Sequence, residues 1–269
     1  MTSGGDTQMT LVGSRDNALV KQIRRLAAHG NAYRKLGQFW IEGDHLCRAA
    51  LERRVVPSVA VFAESFWPAA PAGWTRVAAR TVVLPDALFD EISGLESAAR
   101  VGFLVALPPL RVPRVGVASV VLDRIQDAGN VGSVLRSAAA FGVRQVLSLK
   151  GSAALWSPKV LRAGMGAHFG LDLVEGLDFA EVASLGVPLI VTSSHHGELL
   201  QNQTLPWPCT WAFGHEGQGL GEALLSRAQV SVRIGQPGGE ESLNVAAAAA
   251  ICLYASSITR TGPGPDRHL

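Results

Sequence analysis

Apolar positions along this chain switch repeatedly between a helical and a strand-like period. Over residues 14–28, basic side chains are interleaved with Val20, Ile23 and Leu26 at helical spacing and Gly30 closes the run. This predicts an amphipathic helix whose basic side faces solvent or phosphate. A strand over 39–41, a helix over 45–53 and a strand over 58–62 make a small α/β unit that ends near Leu107. The proline-rich run 108–114 reads as a stiff linker. Beyond it, strands are predicted over 117–122, 145–149, 189–192, 210–213 and 230–234. They alternate with helices over 134–140, 159–165 and 223–228, and a long apolar helix over 243–258 follows. Such alternation favours a mainly parallel sheet covered on both faces, the α/β class. The predicted organisation is a disordered tail over 1–12, a first domain over 13–107, the linker, a second domain over 115–260 and a frayed tail over 261–269.

Composition narrows the class. The chain has 269 residues, of which 48% are hydrophobic and 17% charged, enough to bury a sizeable core and too apolar for a disordered protein. Formal net charge is only +2, yet residues 14–54 hold nine Lys/Arg against four Asp/Glu, a local excess of five. That asymmetry points to a polyanionic partner for the first domain. Cys47, Cys209 and Cys252 are odd in number and widely spaced, so neither a disulfide framework nor a zinc site is expected, and a reducing compartment, the cytoplasm, fits best. The start of the chain lacks a secretory pattern, and the apolar stretch 243–258 is too short to span a bilayer, so a soluble protein is expected.

Three segments place polar groups among glycines at the carboxyl ends of predicted strands, where α/β proteins bind ligands. The first runs from Asp123 to Ser133 and leads into a helix carrying Arg136. Gly129 and Gly132 permit close backbone approach, and Asn130 and Arg136 can point over the helix start. The second, 214–221, surrounds Glu216 with four glycines and does not match the dinucleotide-binding pattern. The third, 238–245, carries Ser242 and Asn244 at the start of the long helix. Each segment alone also suits a plain cap or a flexible turn. Together they offer Asn, Arg, Glu, Ser and Asn with no Ser-His-Asp set, which suits hydroxyl orientation better than hydrolysis. His195 and His196 have no Cys or carboxylate at ligand spacing, so no metal is expected.

These segments resemble, in order and spacing, the three motifs of the TrmH-type (SpoU) RNA ribose 2′-O-methyltransferases of the SPOUT superfamily. The run 241–247, Glu-Ser-Leu-Asn-Val-Ala-Ala, is the most specific of them. The stretches 17–21 and 39–43 look like that family's amino-terminal substrate-binding domain, which is L30e-like. The resemblance implies a trefoil knot at the carboxyl end, rare among folds, with S-adenosylmethionine held by its loops. It places Thr192, Ser193, Ser194, Phe213, Gly214, Glu216, Gly219, Ile234, Ser242 and Leu243 around the cofactor. It makes Asn130, Arg136, Glu216, Ser242 and Asn244 the catalytic set. A homodimer through the last helix is implied too. Arg136 is the residue commonly credited with activating the hydroxyl. Phosphate binding and charge stabilisation are physically easier for a guanidinium, leaving the proton to phosphate, water or Glu216.

Arg24, Arg25, Arg34 and Lys35 in the first domain, with Lys159 and Arg162, are the candidate RNA contacts, although the last two equally suit a solvated helix face. Three positions depart from the family pattern: Ala128 and Gly235, where proline is common, and His215, where Ser or Asn is common. A Rossmann-type nucleotide enzyme, a transfer-RNA methyltransferase and a non-catalytic RNA-binding protein are the alternatives to a ribosomal-RNA methyltransferase. The acidic residue that a Rossmann site needs is missing from 145–150.

Overall fold

A strand that the apolar pattern does not announce opens the fold. In the computed structural model, which describes residues 8–258 except 96, 98, 194–195 and 239–241, β1 (Gln8–Leu11) pairs in parallel with β4 (Arg80–Leu84). The expectation of a disordered tail over 1–12 is therefore corrected for 8–12. Met9 and Leu11 are exposed, so the strand is held by its backbone ladder, extended by Val12 N–H donating to Val83 O at 3.0 Å. Pairing without side-chain burial leaves no periodicity to read. The expected tail over 261–269 lies outside the described residues.

The chain divides into two units, Met1–Pro109 with Trp156–Phe169, and Leu110–Leu155 with Gly170–Leu269. In the first, α1 (Ala18–Ala28) is capped by Asn17, whose side chain accepts from Leu19 N–H, and buries Leu19, Val20, Ile23 and Leu26. There follow α2 (Ala32–Leu36), β2 (Gln38–Glu42), α3 (Asp44–Glu52), β3 (Val59–Ala63), β4, α4 (Asp86–Ile92) and β5 (Val101–Ala106). The sheet order is β1-β4-β3-β5-β2, with β5 antiparallel to both of its neighbours. Gly102 on β5 lies under the Trp40 ring, where an added Cβ would sit 2.2 Å from the indole.

The second unit holds a seven-stranded, wholly parallel sheet in the order β10-β12-β9-β11-β6-β7-β8. Its elements are β6 (Ser119–Asp123), α5 (Ala128–Ala140), β7 (Gln145–Leu149), β8 (Asp172–Leu177), α7 (Phe179–Ala183), β9 (Leu189–Thr192), β10 (Glu198–Leu199), β11 (Thr210–Gly214), α8 (Glu222–Leu225), β12 (Val230–Arg233) and α9 (Val245–Ile258). The remaining helix, α6 (Pro158–Gly164), was expected in this domain but belongs to the first unit. Trp156 packs against Phe39 with ring centroids 4.7 Å apart, and Val160 and Leu161 are buried. Apolar side chains, not chain order, decide its allegiance.

The linker is tethered. Arg111 and Arg114 both pair with Asp172, Arg114 at 2.6 Å, and Gln145 exchanges two hydrogen bonds with the Arg114 backbone. Helix α9 docks on the sheet through Trp211 Nε1–H donating to Ser256 Oγ at 2.8 Å. The three cysteines are buried and unbridged, and burial pushes the Cys252 thiol up to about 12. Among the described residues no helix is long and apolar enough to cross a membrane.

Candidate active site

Parallel pairing aligns the carboxyl ends of the central strands, so the loops that follow them emerge side by side. Gly214, the last residue of β11, is in register with Asp123, the last residue of β6, and Thr192 of β9 is in register with Val232 of β12. Helix α5 begins six residues earlier than expected. Asp127 is its cap, accepting from Asn130 N–H at 2.7 Å. The Asn130 side chain is thereby spared from capping.

That amide joins all three segments. Asn130 Nδ2 donates to Glu216 Oε1 at 3.0 Å, and Asn130 Oδ1 accepts from Asn244 Nδ2 at 2.9 Å. Asn244 Oδ1 in turn accepts from the N–H groups of Ala246 and Ala247 at 2.9 and 3.3 Å, capping α9. Burial acts to raise the Glu216 pKa, but donation by the Asn130 amide and by the backbone N–H groups of Glu216, Asp127 and Gln126 outweighs it. The carboxyl stays below its ordinary value of 4.5.

The second loop is built by its glycines and by His215. The His215 and Gly219 backbones exchange hydrogen bonds of 3.0 and 2.8 Å, and His215 Nδ1 accepts from the N–H groups of Gly217 and Gln218 at 3.0 and 3.2 Å. The imidazole thus does what a Ser or Asn oxygen does in such a turn. It is part of the loop's frame and not the plain surface residue that a lone histidine suggests. Gly214 has no room for a side chain, since a Cβ would lie 2.4 Å from the Gly219 carbonyl carbon.

Between these loops lies a cavity of about 310 Å³. Of the residues expected there, Thr192, Ser193, Gly214, Glu216, Gly219, Ile234, Ser242, Leu243 and Asn244 line it. Phe213 does not: it is buried in the sheet, stacked on Trp211 at 6.0 Å. Arg136 is exposed on α5 and is not among the residues that line the cavity. Ser194, His195 and Glu241 lie outside the described residues. His215, one of the three departures from the family pattern, also forms the wall, as do Leu220, Gln236, Val245 and Ala248, which were not expected. Val245 and Ala248 follow Asn244 on the inward side of α9, a spacing visible in the sequence once the helix start is known.

The lining suits a nucleoside-sized ligand. Its volume is at the small end of the range for ligand pockets, glycines open the floor, and Gln236 Oε1 is a buried acceptor with no partner among the described residues. Among them no group of three or more His, Cys, Asp or Glu could hold a metal.

The candidate RNA contacts separate in the first unit. Arg24 pairs with Glu91 at 3.0 Å, Arg34 donates to Tyr33 Oη at 3.1 Å, and Arg162 lies 3.9 Å from the buried carboxylate of Glu42. Arg25 and Lys35 are exposed and line a surface hollow with His29, Asn31 and Ala32. Lys159 is exposed at the start of α6.

A parallel α/β unit whose strand-end loops enclose a glycine-floored pocket defines a nucleotide- or cofactor-binding enzyme domain. Residues 118–254, just over half of the chain, match the model of the SpoU rRNA Methylase family. The chain belongs to that family. It is 28% identical over 253 residues, 91% of its length and 98% of the relative's, to the 23S rRNA (guanosine(2553)-2′-O)-methyltransferase of Bacillus subtilis. It is 32% identical over 256 residues, 90% and 92% of the two lengths, to an uncharacterised tRNA/rRNA methyltransferase of Synechocystis. Among solved structures, the SpoU methyltransferase AviRb of Streptomyces viridochromogenes in complex with AdoMet matches with a TM-score of 0.77 at 25% identity, covering 90% of this chain and 97% of that one.

Proposed function

We propose that this protein transfers a methyl group from S-adenosylmethionine to a ribose 2′-hydroxyl of ribosomal RNA. The observation that carries the reading is the hydrogen-bonded chain Asn244–Asn130–Glu216, which unites three loops at one cavity. Thr192, Gly214, Ile234, Gln236 and Leu243 would hold the cofactor, which when bound supplies an electrophilic methyl group. The chain's own task is to bring the hydroxyl oxygen into line and dispose of its proton. Glu216 is a poor proton acceptor, because its pKa is lowered and its oxygens are engaged by donors. Its part is to fix the Asn130 amide, while Ser242 and Asn244 orient the sugar. The proton passes to phosphate or water, and Arg136 binds the adjoining phosphate and stabilises alkoxide charge.

This reading includes a trefoil knot in the second unit and an L30e-like fold for the first. A homodimer through α9 is part of it, supported by Ala247, Ile251, Tyr254 and Ile258, which share one exposed side of that helix. RNA lies on the first unit across Arg25 and Lys35, with Lys159 a further phosphate contact. Ribosomal RNA is favoured over transfer RNA because relatives named for 23S rRNA align over both units.

The test is methyl transfer in vitro from labelled S-adenosylmethionine to ribosomal and transfer RNA, followed by mapping of alkali-resistant linkages. Label in ribosomal RNA at a ribose is expected. Label on a base, or in transfer RNA alone, overturns the reading.

A further inference from the structure

Arg124, the residue after β6, adopts a left-handed backbone conformation with φ at 58°. For a long side chain this is a strained state that persists only where surrounding contacts over-determine it. Those contacts are present. Arg124 Nε donates to Asp123 Oδ1 at 2.9 Å and one terminal nitrogen donates to Oδ2 at 3.1 Å, a two-pronged pair with a buried carboxylate. The same terminal nitrogen reaches Gly219 O at 3.4 Å, and the other donates to Gln218 Oε1 at 3.2 Å. Asp123 Oδ2 also accepts from Gly221 N–H at 2.7 Å. Room for the side-chain stem is left by Gly151, whose added Cβ would stand 3.1 Å from Arg124 Cγ.

The tied residues, Gln218, Gly219 and Gly221, belong to the loop that supplies Gly214, Glu216, Gly219 and Leu220 to the cavity wall. Arg124 is not part of that wall. We propose that Arg124, acting with Asp123, is a positioning residue for the cofactor, holding the 214–221 loop in its binding conformation from behind. This rests on S-adenosylmethionine being the ligand of the cavity. The physical logic is preorganisation: a loop with four glycines among eight residues has much conformational entropy to lose on binding. A guanidinium anchored on the rigid sheet removes part of that loss beforehand. The extended backbone that relieves the strain at Arg124 would carry the fork away from the loop, so strain and tie belong together.

The test uses the full-length protein and two variants. Arg124→Lys keeps a cation for Asp123 but cannot span the carboxylate and the loop at once. Arg124→Gly removes strain and tie together. Calorimetry with S-adenosylhomocysteine, thermal melting and amide hydrogen exchange over 217–221 are the readouts. Expected are a melting temperature for Arg124→Lys close to wild type, faster exchange of the loop amides, and affinity lower by about tenfold or more, as loss of charge-assisted hydrogen bonds implies. Arg124→Gly should lose affinity at least as far. Wild-type protein that binds while both variants bind equally well overturns the positioning role alone. Unchanged loop exchange also overturns it, whatever the ligand. Wild-type protein that fails to bind sinks the cofactor reading and this inference together.

Discussion

Arg136 and Glu216, both expected in the catalytic set, are placed differently by the fold. Arg136 is exposed on α5, outside the cavity lining, whereas Glu216 is fixed within it. Replacing Arg136 with Ala should lower kcat by about 10²–10³, the usual cost of losing a charge-stabilising donor, and leave S-adenosylhomocysteine affinity unchanged. Affinity falling in step with activity would make Arg136 a cofactor residue. For Glu216 the pH dependence has a definite sign. Its folded pKa is lowered below 4.5, so the anion's contribution is complete above that value and is lost as pH falls through the depressed one. Thermal melts of wild type and Glu216→Gln should therefore differ at pH 7 and converge under acid. A gap that persists at acid pH would show that the hydrogen bonds, not the charge, carry the effect. Asn130 and Glu216 were legible because each adjoins a glycine in a loop after a strand, and Ser242 and Asn244 because they stand at the start of the long apolar helix. Gln236 was not, since a lone amide after a strand carries no pattern until the cavity around it is seen.

Helix starts mattered more than helix existence at the level of elements. Helix α5 is expected from 134, because Gly129 and Gly132 weaken the helical signal, yet it begins six residues earlier at Ala128, capped by Asp127. Asp127 is extended, with φ at −73° and ψ at 121°, as a residue before proline must be, and Ala128 N–H has no partner among the described residues. Ala128→Pro should accordingly stabilise the protein by about 0.4–1 kcal/mol through the unfolded chain, measured by denaturant melts. Destabilisation would mean that this amide is engaged. Strands β1 and β8 escaped detection for a related reason. Both lie at sheet edges: Leu11 of β1 is exposed, and in β8 Asp172 and Glu175 interrupt the apolar pattern even though Val174 and Leu177 are buried. The second-unit strands β6 and β7, buried on every residue, are legible in the sequence, whereas β4 and β5, interior strands of the first sheet, are not among its expected strands.

For the molecule as a whole, two surfaces are available to partners. Ile251 and Tyr254 are 41% and 54% exposed on α9 and, with Ile258 at 64%, form one apolar stripe, the kind of contiguous exposed patch that marks an interaction surface. Ile251→Glu should convert a dimer into monomers, raising the dissociation constant by at least about thirtyfold, the cost of losing one interface anchor. Sedimentation showing the same species for both proteins would rule this face out. On the first unit, Arg25→Ala and Lys35→Ala should each reduce the salt dependence of RNA affinity by about one counterion. Filter binding at several salt concentrations measures this, and an unchanged slope would place the RNA elsewhere. The basic bias of residues 14–54 was legible at once. Which cations remain unpaired was not, because Glu91 and Glu42 reach them only through the fold.

The allegiance of α6 has a bearing on how this protein can be cut and recombined. Having begun its second unit at Leu110, the chain returns to the first for Trp156–Phe169 before going back. The two are stitched by three crossings instead of strung like beads. A fragment starting at Leu110 would carry Trp156, Val160 and Leu161 stripped of their cover, a sticky hydrophobic ridge, and a fragment ending at Pro109 would lack part of its own core. Swapping first units among relatives should therefore carry the 156–169 graft along with residues 1–109, or the exchanged unit will arrive incomplete.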